Sequence, residues 1–234
     1  MERSSTAVGE RVLVVAAHPD DEVLGCGGTI AWHRRAGDHV TVLVMADGIT
    51  SRGADAGVTA EALEERRRSA GRANDILGVN ELTLLSYPDN RMDAVALLDI
   101  VQDIEKVVVR SRPTMVYTHH RGDVNIDHTR VHDAVIAACR PQPGHGVRKL
   151  LFFETPSSTE WRPPGSVAVF APNWFTDISS TLSAKLDAIG AYGAELRDFP
   201  HPRSSQAVEH LARWRGAAVG LAAAEAFELG RLIQ

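Results

Sequence analysis

His18-Pro19-Asp20-Asp21-Glu22 packs an imidazole and three carboxylates into one short stretch. A histidine and an aspartate three positions apart, folded around a proline, can converge on one metal ion. A spare carboxylate beside them can act as a base. A catalytic zinc takes three protein ligands and keeps a fourth position for water. His18 and Asp21 supply two, and Asp20 then points to the other side of the turn, toward the water. A second concentration of such residues runs His119-His120-Arg121-Gly122-Asp123-Val124-Asn125-Ile126-Asp127-His128, with His132 one helical turn on. It is the one good source of a third ligand. His128 and His132, four apart, share a helix face. The two clusters together point to metal-assisted hydrolysis.

Each residue also has a plainer use. A lone loop histidine is most often solvated or hydrogen-bonded. Asn125 suits a helix N-cap and Asp127 the first helical turn. His132 suits an exposed helix face. The run Gly25-Cys26-Gly27-Gly28 departs from G-x-G-x-x-G and is weak as a dinucleotide loop. What favours chemistry is the conjunction of two dense polar clusters that complete a zinc set.

The elements that must position these residues alternate. Residues 11–17 read as a buried strand, 23–37 as a helix ended by Gly37, and Val40 to Met45 as a second strand before Asp47-Gly48. Residues 59–78 read as a charged amphipathic helix stopped by Gly78, Leu82 to Leu85 as a strand, and Tyr87-Pro88-Asp89-Asn90 as a loop. Residues 92–110 carry Leu97, Ile100, Val101 and Ile104 at helical spacing. Met115 to Thr118 reads as strand four, a helix runs to about Cys139, and Leu150 to Glu154 reads as strand five. Such β-α alternation predicts an α/β fold: a doubly wound, mostly parallel, Rossmann-like sheet with helices on both faces. Its post-strand loops gather on one edge, where open sheets bind ligands. Beyond Pro156 the spacing predicts strands at Val167–Phe170 and Trp174–Ile178, then helices over 180–196 and 204–222, with the Ala-rich stretch Ala217–Ala226 as packed helix.

Composition sets bounds. With 234 residues, 44% hydrophobic and 24% charged, the chain suits one globular domain over 11–234 behind a frayed leader, 1–10. A net charge of -5 argues against nucleic acid as a partner. No apolar run reaches the ~20 residues of a membrane span. Cys26 and Cys139 lack C-x-x-C spacing and read as free thiols of a reducing cytoplasm.

The chain resembles the zinc-dependent N-deacetylases of the PIG-L (LmbE-like) superfamily, from about Arg11 to Leu229. The resemblance rests on Ala17-His18-Pro19-Asp20-Asp21-Glu22 followed by Leu24-Gly25-Cys26-Gly27-Gly28-Thr29, on Asp47-Gly48, Arg66, Asp89 and Asp127-His128, and on His201-Pro202-Arg203-Ser204. It implies that His18, Asp21 and His128 bind zinc and that Asp20 is the general base. It implies substrate contacts for Arg66 and Asp89 and a supporting role for Asp127 behind the ligands. Many members carry His-x-Asp-His where this chain has Asn125-Ile126-Asp127-His128. An asparagine amide can donate to an oxyanion but cannot deliver a proton. Asn125 is thus expected as an oxyanion donor. The acid role falls to His120, His132 or His201, or to Asp20 acting in both directions.

The expected activity is hydrolysis of the acyl amide of an N-acetyl amino sugar or its conjugate, a small-molecule partner, in the cytoplasm. Zinc lowers the pKa of its water toward roughly 7 and polarises the carbonyl. Two histidines and a carboxylate also suit Fe(II). Family analogy implies a homo-oligomer. Two rivals are a related amidase for a larger acyl group or thiol conjugate, and a non-catalytic nucleotide-sugar or dinucleotide binder using the first βα turn for phosphate. The aromatic segments at Trp161 and Trp174 either cover the pocket, pack structurally or form a subunit interface.

Overall fold

A computed structural model of the chain describes residues 9–48, 60–165, 167–193 and 195–234. Most of the expected leader, 1–8, and the first residue of the helix expected over 59–78 lie outside the described residues. Glu10, at the end of that leader, is tied down: its N–H donates to Asp38 (2.8 Å) and its carboxylate pairs with Lys149 (2.7 Å).

The strands are β1 (Arg11–Ala16), β2 (His39–Ala46), β3 (Glu81–Tyr87), β4 (Met115–His119), β5 (Lys149–Phe153), β6 (Trp174–Asp177) and β7 (Ala224–Leu232). They form one seven-stranded sheet in the order β3-β2-β1-β4-β5-β7-β6. The first five in space are parallel, and β7 pairs antiparallel with both β5 and β6. The helices are α1 (Asp21–Arg35), α2 (Ala60–Leu77), α3 (Leu97–Ser111), α4 (Ile126–Ala138), α5 (Leu182–Gly190) and α6 (Ser205–Ala217). A short 3-10 turn at Met92–Ala94 precedes α3, so that helix begins later than its periodicity suggests.

The central strands are buried on both faces, which explains their unbroken apolar runs. Val12, Val14 and Ala16 of β1 pack with α1, α2 and α5 on one side, while Leu13, Val15 and Ala17 face α3 and α4 on the other. The chain proceeds from β1 to β2 in one direction and to β4 in the other. A crevice therefore opens between the carboxyl ends of β1 and β4, the switch point where open sheets bind ligands. The two polar clusters follow these two strands.

Two expectations past Pro156 are corrected. Val167–Phe170 is not a strand. The Ala-rich stretch is not a continuous helix: α6 ends at Ala217, Gly220 turns at φ +78°, and Ala224 opens β7. Ala223, Ala224 and Ala226 are buried, while Ala217, Ala218 and Ala222 are exposed. Gly216 of α6 lies so near Ala223 that an added Cβ would sit 2.7 Å from its Cα. Small residues let α6 ride over the start of the strand.

The glycine run has a similar explanation. A Cβ on Gly25 would meet the Phe153 ring at 2.3 Å, and one on Gly28 would meet Ile178 at 2.8 Å. These glycines seat α1 on its neighbours. The helix also kinks at Cys26 (φ -148°, ψ 24°), which frees backbone groups on either side. Glu225 accepts the N–H groups of Gly28 (3.0 Å) and Thr29 (2.7 Å), and Lys185 donates to the Leu24 carbonyl (2.8 Å) and to Glu225. One buried ion pair thus caps both half-helices. Both cysteines are buried and free.

Candidate metal and catalytic site

β1 runs into a tight turn at His18-Pro19, and Asp20 then takes φ 110°, ψ -27° before α1 begins. A left-handed non-glycine residue at a helix start stores strain, of order 1–3 kcal/mol, and such strain collects at functional sites. Buried neighbours hold it. The Asp20 N–H donates to Glu22 (3.1 Å), and Glu22 in turn accepts from Tyr192 (2.6 Å) and Asn74 (3.0 Å). Burial pushes the Glu22 carboxyl up to about 7.

The turn brings the ligand-type atoms of His18, Asp21 and His128 within 4.8 Å of one another, all buried. Asp21 Oδ2 lies 3.2 Å from His18 Nδ1 and 3.2 Å from His128 Nε2. Yet both ring nitrogens of His128, and Asp21 Oδ1, make no hydrogen bond. Burial opposes positive charge on His128, but Asp21 and Asp123 outweigh it and raise its pKa to about 9. Buried imidazoles facing a carboxylate, with donor atoms left over, fit a divalent cation.

His18, Asp89 and Asp127 form a second close group. Its atoms are already engaged. Asp127 accepts the backbone N–H groups of Asn90 (2.7 Å) and Met92 (2.9 Å), and Asp89 accepts from Asn90 Nδ2 (2.9 Å). Both carboxylates face His18 Nε2, at 3.0 and 3.1 Å. They therefore orient His18 so that Nδ1 faces the first group, the usual arrangement behind a ligating histidine.

Asp123 does the same for His128, lying 3.1 Å from its Nδ1. Asp123 also accepts from Ser158, Thr159 (2.8 Å) and the Asn125 N–H (2.8 Å). Burial acts against its charge, but His128 and these donors hold its carboxyl down at about 2. The sequence reading assigned it no role. Asp123→Asn is expected to weaken metal affinity about 10- to 100-fold, measured by competition with a chromophoric chelator. Unchanged affinity would remove Asp123 from the site.

His119 stacks on His128 at 3.9 Å between centroids. Its Nε2 accepts the Ala17 N–H (2.9 Å), so Nδ1 carries the proton and donates to Thr155 (3.3 Å). Burial, then His128, pushes its pKa well down, so it is a neutral brace between β1 and β4.

Several expected residues turn out to be occupied elsewhere. Asn125 is the α4 N-cap: Oδ1 accepts the Asp127 N–H (2.9 Å) and Nδ2 donates to Asn90 (3.0 Å). Its donor is spent on a loop rather than held for an oxyanion. Asn125→Ala is expected to cost about 1 kcal/mol of stability, read by denaturant melts, with kcat nearly intact. A hundredfold fall in kcat would restore the oxyanion role. His120 is bound at both nitrogens, by Glu228 (2.6 Å) and the Ala168 carbonyl (3.1 Å). His132 donates from Nδ1 to the His119 carbonyl (2.8 Å), and burial lowers its pKa. Arg66 donates to the Pro19 carbonyl (2.6 Å), pairs with Glu195 (3.1 Å) and lies over the Tyr192 ring. Asp89 is likewise turned inward onto His18. His201 is less constrained: its Nδ1 accepts the Arg203 N–H (3.1 Å) and its ring meets Trp161 edge-on. Trp174 packs beside the core.

Asp20 is the one carboxylate of the cluster, outside the proposed ligands, with an oxygen, Oδ1, buried and free of hydrogen bonds. Its Oδ2 meets Arg203 (2.9 Å) and, less closely, Arg66 (3.6 Å). Burial raises its pKa against the pull of the two arginines.

The family model for GlcNAc-PI de-N-acetylase (PIG-L) matches residues 13–139, a stretch that carries both clusters. The chain belongs to that family. It is 31% identical over 160 residues to the uncharacterized deacetylase YaiS of Escherichia coli K12, covering 66% of this chain and 79% of that one. It is 27% identical over 195 residues to the diacetylchitobiose deacetylase of Thermococcus kodakarensis, covering 80% and 70%. Among solved structures, the conserved protein TT1542 of Thermus thermophilus superposes with a TM-score of 0.73 at 26% identity, over 96% of each chain. GalB of Pseudomonas putida KT2440, a 4-carboxy-2-hydroxymuconate hydratase, gives 0.74 at 24% identity over 95% of this chain and 98% of that one. The PIG-L fold thus carries more than one chemistry, and only the site can argue the reaction.

Proposed function

We propose that this chain is a metal-dependent N-deacetylase acting on an N-acetyl amino sugar or a conjugate of one, working in the cytoplasm as a homo-oligomer. The observation that carries the reading is the close buried grouping of His18, Asp21 and His128, with Oδ1 of the adjacent residue Asp20 buried and free of hydrogen bonds. Those three residues would hold zinc, or Fe(II), which when bound polarises an amide carbonyl and acidifies water. Asp21 supplies the anionic ligand. His18 and His128 supply neutral nitrogens, with a carboxylate facing the other nitrogen of each ring. Asp20 Oδ1 accepts the proton of the attacking water. The same oxygen, now protonated, returns it to the departing amine, so one carboxylate serves as base and then acid. Asp20 acts in both directions, a reading supported by the structural bonds that engage Asn125, His120 and Nδ1 of His132; His201 is the alternative acid.

The glycine run gives the phosphate-loop alternative no support, since its glycines are packed against Phe153 and Ile178. Acetate release, screened across N-acetylated sugars, sugar–thiol conjugates and glycopeptide antibiotic intermediates, tests the reading. Acetate and free amine in equal amounts are expected from at least one sugar amide. Release of a larger acyl group only would move the chain to the related amidases. No hydrolysis by metal-loaded protein, with hydration of an unsaturated diacid instead, would overturn the reading in favour of GalB-like chemistry.

A further inference from the structure

Arg203 reaches Asp20 from the opposite end of the chain. It sits in the connection between α5 and α6, in a turn closed by the His201 N–H on Asp198 (3.0 Å) and the Ser204 N–H on His201 (2.9 Å). Ser204 then caps α6 by accepting the Ala207 N–H (3.0 Å). The backbone that carries the arginine is therefore fixed on both sides.

The guanidinium hydrogen-bonds two partners, and its Nη2 also faces Asp21 Oδ1 at 4.0 Å. Its Nη1 donates to Asp20 Oδ2 (2.9 Å), and its Nε donates to Ser157 Oγ (2.7 Å). Ser157 is held at φ 66°, its N–H bound by Glu160 (2.6 Å). An arginine that only pairs with a carboxylate often forks, placing two N–H groups on its two oxygens. Arg215 does that on Glu154 in this chain, with Nε to Oε1 (2.7 Å) and Nη2 to Oε2 (2.6 Å). Arg203 does not: Nε is bound to Ser157, Nη2 faces Asp21 Oδ1, and Nη1 alone hydrogen-bonds Asp20. Its grip on Asp20 is restricted to Oδ2, and Oδ1 stays without a hydrogen bond.

We infer that Arg203, locked by Ser157, is a positioning residue that anchors Asp20 through one oxygen and leaves the other aimed at the reacting groups. Arg66 does not duplicate this. It stands farther off, at 3.6 Å, with its own bonds to Pro19 and Glu195. The inference rests on Asp20 being the general base.

The test uses the metal-loaded protein and the amide substrate found in the screen. Arg203→Met is expected to lower kcat about 10- to 100-fold, as small misplacements of catalytic groups do, with KM within about threefold and metal content unchanged. Arg203→Lys, which can reach Oδ2 but not bridge to Ser157, should recover part of the loss. In an Asp20→Asn background, Arg203→Met should cost nothing further, because the two act as a unit. The same fold-loss in both backgrounds would overturn the inference. So would a change confined to KM, which makes Arg203 a substrate ligand. Asp20→Asn with wild-type turnover would instead overturn the reading of Asp20 itself. If Arg203→Met does not fold, Ser157→Ala carries the test. It leaves the Nη1 contact with Asp20 possible but removes the bond that locks the guanidinium, so kcat should fall several-fold at unchanged metal content, and wild-type kcat refutes the role.

Discussion

Asp20→Asn is expected to keep a full complement of metal and to lose at least ~10²-fold in turnover, the usual cost of removing a general base. The substitution is nearly isosteric. Oδ1 remains an acceptor toward Arg203 if the amide turns, and Glu22 still holds the backbone N–H, so the left-handed turn survives. What disappears is the basic oxygen that lies buried without a hydrogen bond. The ligand atoms of His18, Asp21 and His128 do not depend on that oxygen. Turnover and metal content, measured on the same sample, separate the two roles. Near wild-type turnover would remove Asp20 as base. Loss of metal would make it a ligand.

The second large effect lies outside the site. Glu225→Ala is expected to destabilise the protein by about 3–5 kcal/mol, the range seen when one partner of a buried ion pair is removed. Both members are nearly inaccessible, Lys185 at 3% and Glu225 at 4% exposure. The mutation strands the Lys185 ammonium and also orphans the N–H groups of Gly28 and Thr29 at the α1 kink. Each of those losses is costly in itself, because a buried donor without a partner forfeits its hydration. Denaturant unfolding reads the change. A loss below about 1 kcal/mol would mean that water or another group replaces the carboxylate, and that the pair does not cap the two half-helices.

These two residues also show what the sequence makes visible. Asp20 stands out because three carboxylates and a histidine follow an apolar strand, and charge that dense at a strand end has few structural uses. The stretch His119 to His128 stands out for the same reason at the end of β4, and β1 reads easily because burial on both faces keeps Val12 to Ala17 apolar throughout. Glu225 does not stand out. Its partners are Lys185 and the backbone at residues 28 and 29, and no local pattern announces a contact across 196 positions. The strand it belongs to is equally hidden. Ala224-Glu225-Ala226-Phe227-Glu228-Leu229 favours helix by propensity, and only pairing with β5 and β6 makes it extended.

Within the site the same division holds. His18 and Asp21 are legible as candidate ligands because such residue types at a strand end carry their own meaning, while His128 is singled out from its histidine-rich stretch by the resemblance. Which carboxylate stands behind each histidine is not. Asp127 precedes His128 in sequence but turns to His18, while Asp123, five residues upstream, faces His128. The direction depends on where α4 starts, and that is fixed by the Asn125 cap. Asn125 itself was legible as a cap, since a short polar residue before a helix is common there, and the resemblance to His-x-Asp-His drew attention to the other reading.

The most direct test of the central claim is reconstitution of metal-free protein with measured amounts of zinc, following acetate release and bound metal together. The account predicts negligible hydrolysis without metal, a rise in proportion to zinc up to one ion per chain, and neither binding nor activity in His18→Ala. Full activity in metal-free protein, or full zinc occupancy in His18→Ala, would contradict it.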